Sequence, residues 1–400
     1  MSSGDVWVVG AAMTKIGRYP DKDVIDLASE AALDALKDAS MDIAVVQLLA
    51  CSNAYESNSG VAQRLQKQIG QTGVPAYNVF NACASGATAV RVATMSIKAG
   101  ECDVAMAVGA EQMGKMGLLG NRPKGADRKL FQPKGRYGAV LSGEGRLGTQ
   151  LMPGVFAQAG SEYARRHGVT AEQFAMVAVK NHQNSVHNPY AQYRKVFTLE
   201  EVLNAETIAY PNTLPMCCPT GDGAAAVILV SDQRLATLDP DVRRRAVKLS
   251  ASILTTDPWT ESAQVQPDIN TLTRNAAAQA YEAAGVGPED LGLVELHDCF
   301  ATAELLHYDN LGLCAPGTAG EFIESGGPAA TGRTPVNVSG GLLSKGHPIG
   351  ATGVAGLFEI TTHLRGEAGD RQVPGAKVGL AHVIGLGSAC GIHILEKGVG

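Results

Sequence analysis

The sequence predicts an α/β fold built from two related halves, and three observations carry that prediction. Short apolar runs of strand character alternate with amphipathic helix patterns along most of the chain. Glycine is over-represented, at 47 of 400 residues, and many glycines fall in short loops between apolar runs, where sharp strand–helix turns need them. The same local order also occurs twice. Tyr77-Asn78-Val79, a polar loop, then Gly86-Ala87-Thr88 opening a helix is matched by Val336-Asn337-Val338, a polar loop, then Gly350-Ala351-Thr352 opening a helix.

In chain order, Val6 to Val9 reads as a strand. Val24 to Ala39 reads as a helix, with Leu27, Ala31, Ala35 and Leu36 on one face. Gln47 to Ala50 and Ala76 to Phe80 read as strands. Ser85 to Ala99 reads as a helix with Ala89, Val92, Ala93 and Ser96 on one face and Gly100 as its C-cap, and Asp103 to Val108 is the next strand. A stretch at about 117–215 breaks the alternation. It is rich in Arg, Lys, Gly, Tyr and Gln, holds helix-like pieces at Gln158 to Arg166 and Ala171 to Ser185, and reads as an insertion folded over the first half. Gly223 to Val230 returns to core strand character, and Gln233 to Arg245 is a polar link. The second half then offers a helix from Leu272 to Ala284 stopped by Gly285, strands at Leu293 to Leu296 and Pro335 to Val338, a helix from Gly350 to Leu364, and strands at Lys377 to Ile384 and Gly391 to Leu395. The halves are 1–235, carrying the insertion, and 236–400.

Composition narrows the function. The formal net charge is -6, with no basic block interleaved with aromatics, which argues against nucleic-acid binding. No run of about 18 apolar residues predicts a membrane span, and the first residues show no secretory signal pattern. A cytoplasmic location and free thiols for the 8 cysteines are the expectation, and no CxxC pair suggests a zinc ribbon.

Four loops offer chemistry. Asn81-Ala82-Cys83-Ala84-Ser85-Gly86 places a cysteine between a buried strand and a helix N-terminus, whose partial positive charge favours a thiolate. Its small neighbours leave room for a bulky acyl group, and its own N–H can serve an oxyanion hole. Read alone, such a cysteine is as well a small buried hydrophobe. Ser344-Lys345-Gly346-His347-Pro348-Ile349-Gly350 holds the corresponding place in the second half, so a pseudo-two-fold brings His347 to Cys83 as a base. His297-Asp298-Cys299-Phe300 ends a strand and supplies a second histidine and a second thiol. A metal site with His307 is another reading, but the spacing fits no common zinc pattern. Gly385-Leu386-Gly387-Ser388 fails as a dinucleotide fingerprint, because Cys390 stands where a third glycine should and no helix follows. Its amides suit an acyl oxygen better.

Together these motifs resemble the thiolase superfamily, and within it the sterol-carrier-protein-type branch. The resemblance spans nearly the whole chain. It rests on the Cys83 loop, on Ser339-Gly340-Gly341 through His347 to Gly353, on His297-Asp298-Cys299-Phe300 in place of the Asn-Glu-Ala-Phe-like motif of most thiolases, and on Cys217-Cys218-Pro219-Thr220 before Asp222. The resemblance implies a five-layer αβαβα fold with a loop domain over the active site. It implies CoA thioester chemistry with CoA as co-substrate and neither metal nor redox cofactor, and a homodimer or homotetramer. By the same token Cys83 is the nucleophile, with the Cys83 and Gly385 amides as oxyanion hole, and His347 and His297 polarise the substrate. Cys218, Gly340 and Gly387 contact it. Many thiolases carry the acid–base cysteine just before the last glycine loop. Here that slot holds Val383, preceded by His382, so the role passes to Cys299. Arg122, Lys124 and Arg128 are offered for the CoA phosphates.

Three alternatives stay open from sequence. They are a decarboxylating ketoacyl synthase, which needs no Cys299; a retro-aldolase on steroid side-chain CoA thioesters working with a small OB-fold partner; and a non-enzymatic acyl-CoA or lipid-binding protein. The acyl chain and the physiological direction are not encoded legibly.

Overall fold

The computed structural model describes residues 4–114, 151–259, 268–386 and 389–398. Its strands are β1 (Val6–Met13), β2 (Leu48–Ser52), β3 (Ala76–Val79), β4 (Val104–Gln112), β5 (Thr207–Ala209), β6 (Asn212–Thr213), β7 (Asp222–Ser231), β8 (Val247–Thr255), β9 (Leu293–Glu295), β10 (Val378–Gly385) and β11 (Ala389–Lys397). All but the β5–β6 hairpin form one nine-stranded sheet in the order β3-β2-β4-β7-β1-β8-β11-β10-β9.

That order is one pattern written twice. In the first half β3, β2 and β4 are parallel, and β7 and β1 follow antiparallel. In the second, a bridge at Val336 pairs parallel with β9, β9 with β10 parallel, and β11 and β8 follow antiparallel. The two patterns join through a short antiparallel contact, Trp7 to Lys248 and Val8 to Val247.

Side-chain alternation along the strands builds five layers. Val104, Met106 and Val108 of β4 face outward onto the helices Val24–Asp38 and Val61–Ile69. Ala105 and Ala107 face inward onto a central layer made of the helices Ser85–Lys98 and Thr352–Arg365. Ile392 and Ile394 of β11 face the third helical layer, which includes Ile269–Ala284 and Ala301–Asn310. Small side chains let the two central helices touch. A Cβ on Gly86 would stand 2.8 Å from the Gly353 and Val354 amide nitrogens.

Several sequence expectations need correction. The helix Ser85–Lys98 buries Ala89, Val90, Ala93 and Ile97, whereas Val92 and Ser96 stay partly exposed, because a sheet and a second helix grip it from two sides. Pro335 to Val338 forms a single bridge at Val336 rather than a strand. Strand β8 was not foreseen; its alternation of Lys248, Ser250 and Ser252 with apolar residues reads as an extension of the polar link.

The insertion also lies elsewhere than expected. Its helices Leu151–His167 and Ala171–Ser185 share a core with the second half, Phe156, Phe174 and Val177 packing with Leu305, Leu306 and Leu342. It departs from the first half in sequence but covers the second in space. Residues 115–150, including Arg122, Lys124 and Arg128, lie outside the described residues.

Candidate active site

Cys83 stands at the turn between β3 and the helix Ser85–Lys98. The turn is made by Ala82 at φ 48°, a left-handed conformation that costs a non-glycine residue roughly 1 kcal/mol or more. The Ser85 hydroxyl stabilises it by accepting from the Asn81 amide (2.9 Å) and donating to the Ala82 carbonyl (2.5 Å). Cys83 Sγ and one ring nitrogen each of His297 and His347 all lie within 4.8 Å of one another, and all three side chains are buried. The second half therefore delivers both histidines to the nucleophile loop of the first.

The tautomer of His347 follows from its neighbours. Thr352 Oγ1 donates its single proton to the Pro348 carbonyl at 3.1 Å. With that bond made, it accepts from His347 Nδ1, 2.7 Å away. That leaves Nε2 a bare acceptor, and Nε2 has no other protein partner. The rings of His297 and His347 meet edge to face, 5.2 Å between centroids, and neither nitrogen of His297 is hydrogen-bonded within the protein.

Burial sets the charges. It pushes the Cys83 thiol up to about 12, although its own amide and that of Leu386 pull it down. It pushes His347 down to about 4, and His297 well below the usual histidine range. The helix N-terminus was expected to leave a thiolate. Desolvation outweighs it here, so the site rests as neutral thiol and neutral imidazoles.

Cys299 is buried, and desolvation raises its thiol, with Cys218 and Cys83 close enough to raise it further. The Cys218 amide donates to the Cys299 carbonyl at 3.0 Å, beside the bridge between Cys217 and Phe300. Gly385 ends β10 where any Cβ would overlap the Asn81 carbonyl, and the amide that reaches Cys83 is that of its neighbour Leu386. Gly340 packs its α-carbon against Ser185 at the start of the helix Gly341–Lys345. Gly387 lies outside the described residues. His307 lies against His382, 4.5 Å between ring centroids, rather than with Cys83, His297 and His347. All eight cysteines are unpaired.

Residues that sequence reasoning missed hold these loops. Glu111, at the end of β4, accepts from the Ala54 amide (2.8 Å), the Gly350 amide (3.0 Å), the Tyr55 amide (3.2 Å) and Asn53 Nδ2 (2.9 Å), tying the histidine loop to the first half. Asp298 accepts from the Leu342 and Leu343 amides, at 2.7 and 3.2 Å, and from Asn181 of the insertion at 2.8 Å. Lys345 lies 3.5 Å from both Glu295 and Glu359, and Arg371 caps Glu359 at 2.8 Å. His382 Nδ1 accepts the His297 amide at 3.4 Å. Phe156 of the insertion covers His297 and Phe300, with ring centroids at 6.1 and 5.5 Å. A lone acid closing the apolar β4 run was the available signal for Glu111.

Known proteins share this framework. The thiolase N-terminal domain matches residues 6–233 and the thiolase C-terminal domain-like family matches residues 256–397. Sterol carrier protein 2 of Bos taurus is 38% identical over 402 residues, covering 98% of this chain and 72% of the relative. An acetyl-CoA acetyltransferase of Methanothermobacter thermautotrophicus is 34% identical, covering 98% of this chain and 100% of the relative. The solved Ltp2-ChsH2(DUF35) aldolase superposes with a TM-score of 0.79 at 25% identity, over 99% of both chains. The chain belongs to the thiolase family, with sterol-carrier-protein-type relatives over nearly its whole length.

Proposed function

We propose that this protein is a CoA-dependent acyltransferase that cleaves, or in reverse forms, the carbon–carbon bond of a 3-oxoacyl-CoA through a Cys83 acyl-enzyme. The observation that carries the reading is the convergence of Cys83, His297 and His347, with His347 Nε2 left as an acceptor by Thr352. His347 takes the Cys83 proton as the sulfur attacks the 3-oxo carbon. The oxyanion is held by the Cys83 N–H and the amides of the Gly385–Leu386 turn. His297 and His347 donate to the thioester oxygen of the departing enolate. Cys299 protonates the enolate carbon, then takes the proton of the incoming CoA thiol, which attacks the acyl-enzyme. No metal or redox cofactor enters the scheme, and CoA is the co-substrate.

The substrates proposed are 3-oxoacyl-CoA esters of fatty-acid or steroid side-chain degradation. A homodimer or homotetramer is part of the reading; among the described residues β3 ends the sheet, with Tyr77 at 48% and Phe80 at 53% exposure beside its edge. Among the described residues no helix is long and apolar enough to cross a membrane.

The test is CoA-dependent loss of acetoacetyl-CoA, a long-chain 3-oxoacyl-CoA and a 2-methyl-branched 3-oxoacyl-CoA. Cys83→Ala should abolish turnover, and Cys299→Ala should lower kcat by about 10²–10⁴-fold. The likeness to an aldolase complex with a DUF35 partner supports a second reading, retro-aldol cleavage of a steroid side-chain CoA thioester with a small OB-fold partner. Absence of thiolysis for all three substrates, with cleavage of a 3-hydroxyacyl-CoA once such a partner is added, would favour that alternative.

A further inference from the structure

The three side chains that meet at the nucleophile also form a ligand set. One thiol sulfur and two imidazole nitrogens lie within 4.8 Å of one another. His347 offers Nε2, which the Thr352 contact leaves with a free lone pair. His297 has no protein hydrogen bond at either nitrogen, so its ring can turn without breaking one. Both histidines are more than nine-tenths buried, His297 at 1% and His347 at 5% exposure. Of the buried histidines with a ring nitrogen that makes no bond within the protein, these two converge with a thiol on one point.

We propose that Cys83, His297 and His347 bind one zinc-class divalent cation, which inhibits the protein by occupying the nucleophile. The donor set is the borderline-soft sulfur and nitrogen mixture that zinc prefers, and three protein ligands leave a fourth position for water. Zinc bonds of about 2.3 Å to sulfur and about 2.0–2.1 Å to nitrogen need the ligand atoms roughly 1 Å closer than their widest present spacing. Rotation of the His297 ring and of the Cys83 side chain supplies this. Thr352 supports the site from behind, holding His347 by Nδ1 so that Nε2 faces the ion. The reaction balances as a displacement: the S–H bond of Cys83 breaks, a sulfur–metal bond forms, and one proton passes to the buffer. No oxidant is involved.

Inhibition rests on Cys83 being the nucleophile; metal binding does not. The full chain, purified without chelating reductant, is titrated with Co2+ in place of Zn2+. One equivalent should give a thiolate-to-cobalt charge-transfer band and release one proton, and Zn2+ should bleach the band. The band should vanish in Cys83→Ala and in wild-type protein alkylated by iodoacetamide, which removes the thiol without asking a variant to fold. His297→Asn should weaken binding at least tenfold. Zn2+ should stop 3-oxoacyl-CoA turnover at the same occupancy, reversed by EDTA. A band that survives alkylation, or no band at several equivalents of cobalt, overturns the proposal. A normal titration with no turnover in metal-free protein would leave the cation site standing and sink the thiolase reading alone.

Discussion

In the first half one buried carboxylate, Glu111, accepts from the Ala54, Tyr55 and Gly350 amides and from the Asn53 side chain. In the second half, the loop bearing His347 rests on a cluster of opposed charges, with Lys345 between Glu295 and Glu359, and Arg371 on Glu359. The strand order is the same in both. What differs is the partners of the buried carboxylates, backbone amides for Glu111 and cations for Glu359. Burial pushes Glu111 up to about 7, because amide dipoles alone do not repay its desolvation. Glu359 is as deeply buried, yet the charges of Lys345 and Arg371 overcome desolvation and hold it down, at about 2. The loop bearing His347 is therefore fixed from both halves, by the Gly350 amide on Glu111 and by the ion pairs of Lys345.

The largest effect should come from Lys345→Met. It removes the cation nearest Glu295 and leaves that carboxylate buried with the Ser339 amide and hydroxyl as its donors, and breaking a buried pair in this way typically costs about 3–5 kcal/mol. Urea unfolding should show this loss, and adding Glu295→Gln should recover a substantial part. A single-variant cost below about 1 kcal/mol would mean that ion pairing does not hold the second half.

Next comes a pH effect with opposite sign in the two halves. Glu111 has a folded pKa above that of the unfolded chain, so its contribution is fully present below about 4.5 and is lost as pH rises through about 7. The loss is roughly 3 kcal/mol. Glu359 has a depressed pKa, so its contribution is present above about 4.5 and is lost only as pH falls through about 2. Between pH 5 and 6.5 the buried histidines, held below the usual imidazole range, add a slope of the opposite sign, so the Glu111 contribution is read as a difference from a variant that lacks it. The wild-type urea midpoint should fall relative to that of Glu111→Gln as pH rises from about 5 to about 7.5; a difference that stays constant would refute the assignment.

These same residues mark where sequence reading stops. Cys83, His347, His297 and Cys299 were legible because each sits at a strand end or a glycine-rich helix start, and the repeated Asn-Val and Gly-Ala-Thr pieces implied that two loops meet. Glu295, Glu359 and Lys345 break the apolar pattern of the elements that hold them, and only partners distant in sequence explain them. The insertion was placed on the wrong half for the same reason. Chain order puts it with the first, whereas Lys180, Asn181 and Asn188 find Glu304, Asp298 and Glu359 in the second. Thr352 was visible only as part of a helix start; its bond to His347 needs the turn through Pro348.

A third prediction concerns the contact that lets the halves share a site. Gly86→Ala puts a methyl group 2.8 Å from two backbone nitrogens of the opposite helix, and backbone cannot step aside as a side chain would. Overpacking of this kind costs about 1–3 kcal/mol. It should also lower kcat more than it raises KM, by spreading Cys83 from His347. Gly356→Ala is the control, since its nearest neighbour is the Ala381 methyl at 3.3 Å.

The smallest effect should separate two buried thiols of the second half. Cys390 lies on β11 at 0% exposure, in the core shared by Ile392, Ile394 and Leu272, and Cys299 lies in the same core but next to Cys218 and Cys83. Cys390→Ala removes one sulfur from a packed interior and should cost about 1 kcal/mol, seen as a shifted urea midpoint. Turnover at saturating substrate should not change. Cys299→Ala should do the reverse, sparing the midpoint to within about the same 1 kcal/mol while collapsing kcat. If Cys390→Ala instead lost turnover with its stability intact, the acid–base thiol would belong to the strand after the glycine loop, and the reading of the His297–Phe300 motif would have to be given up.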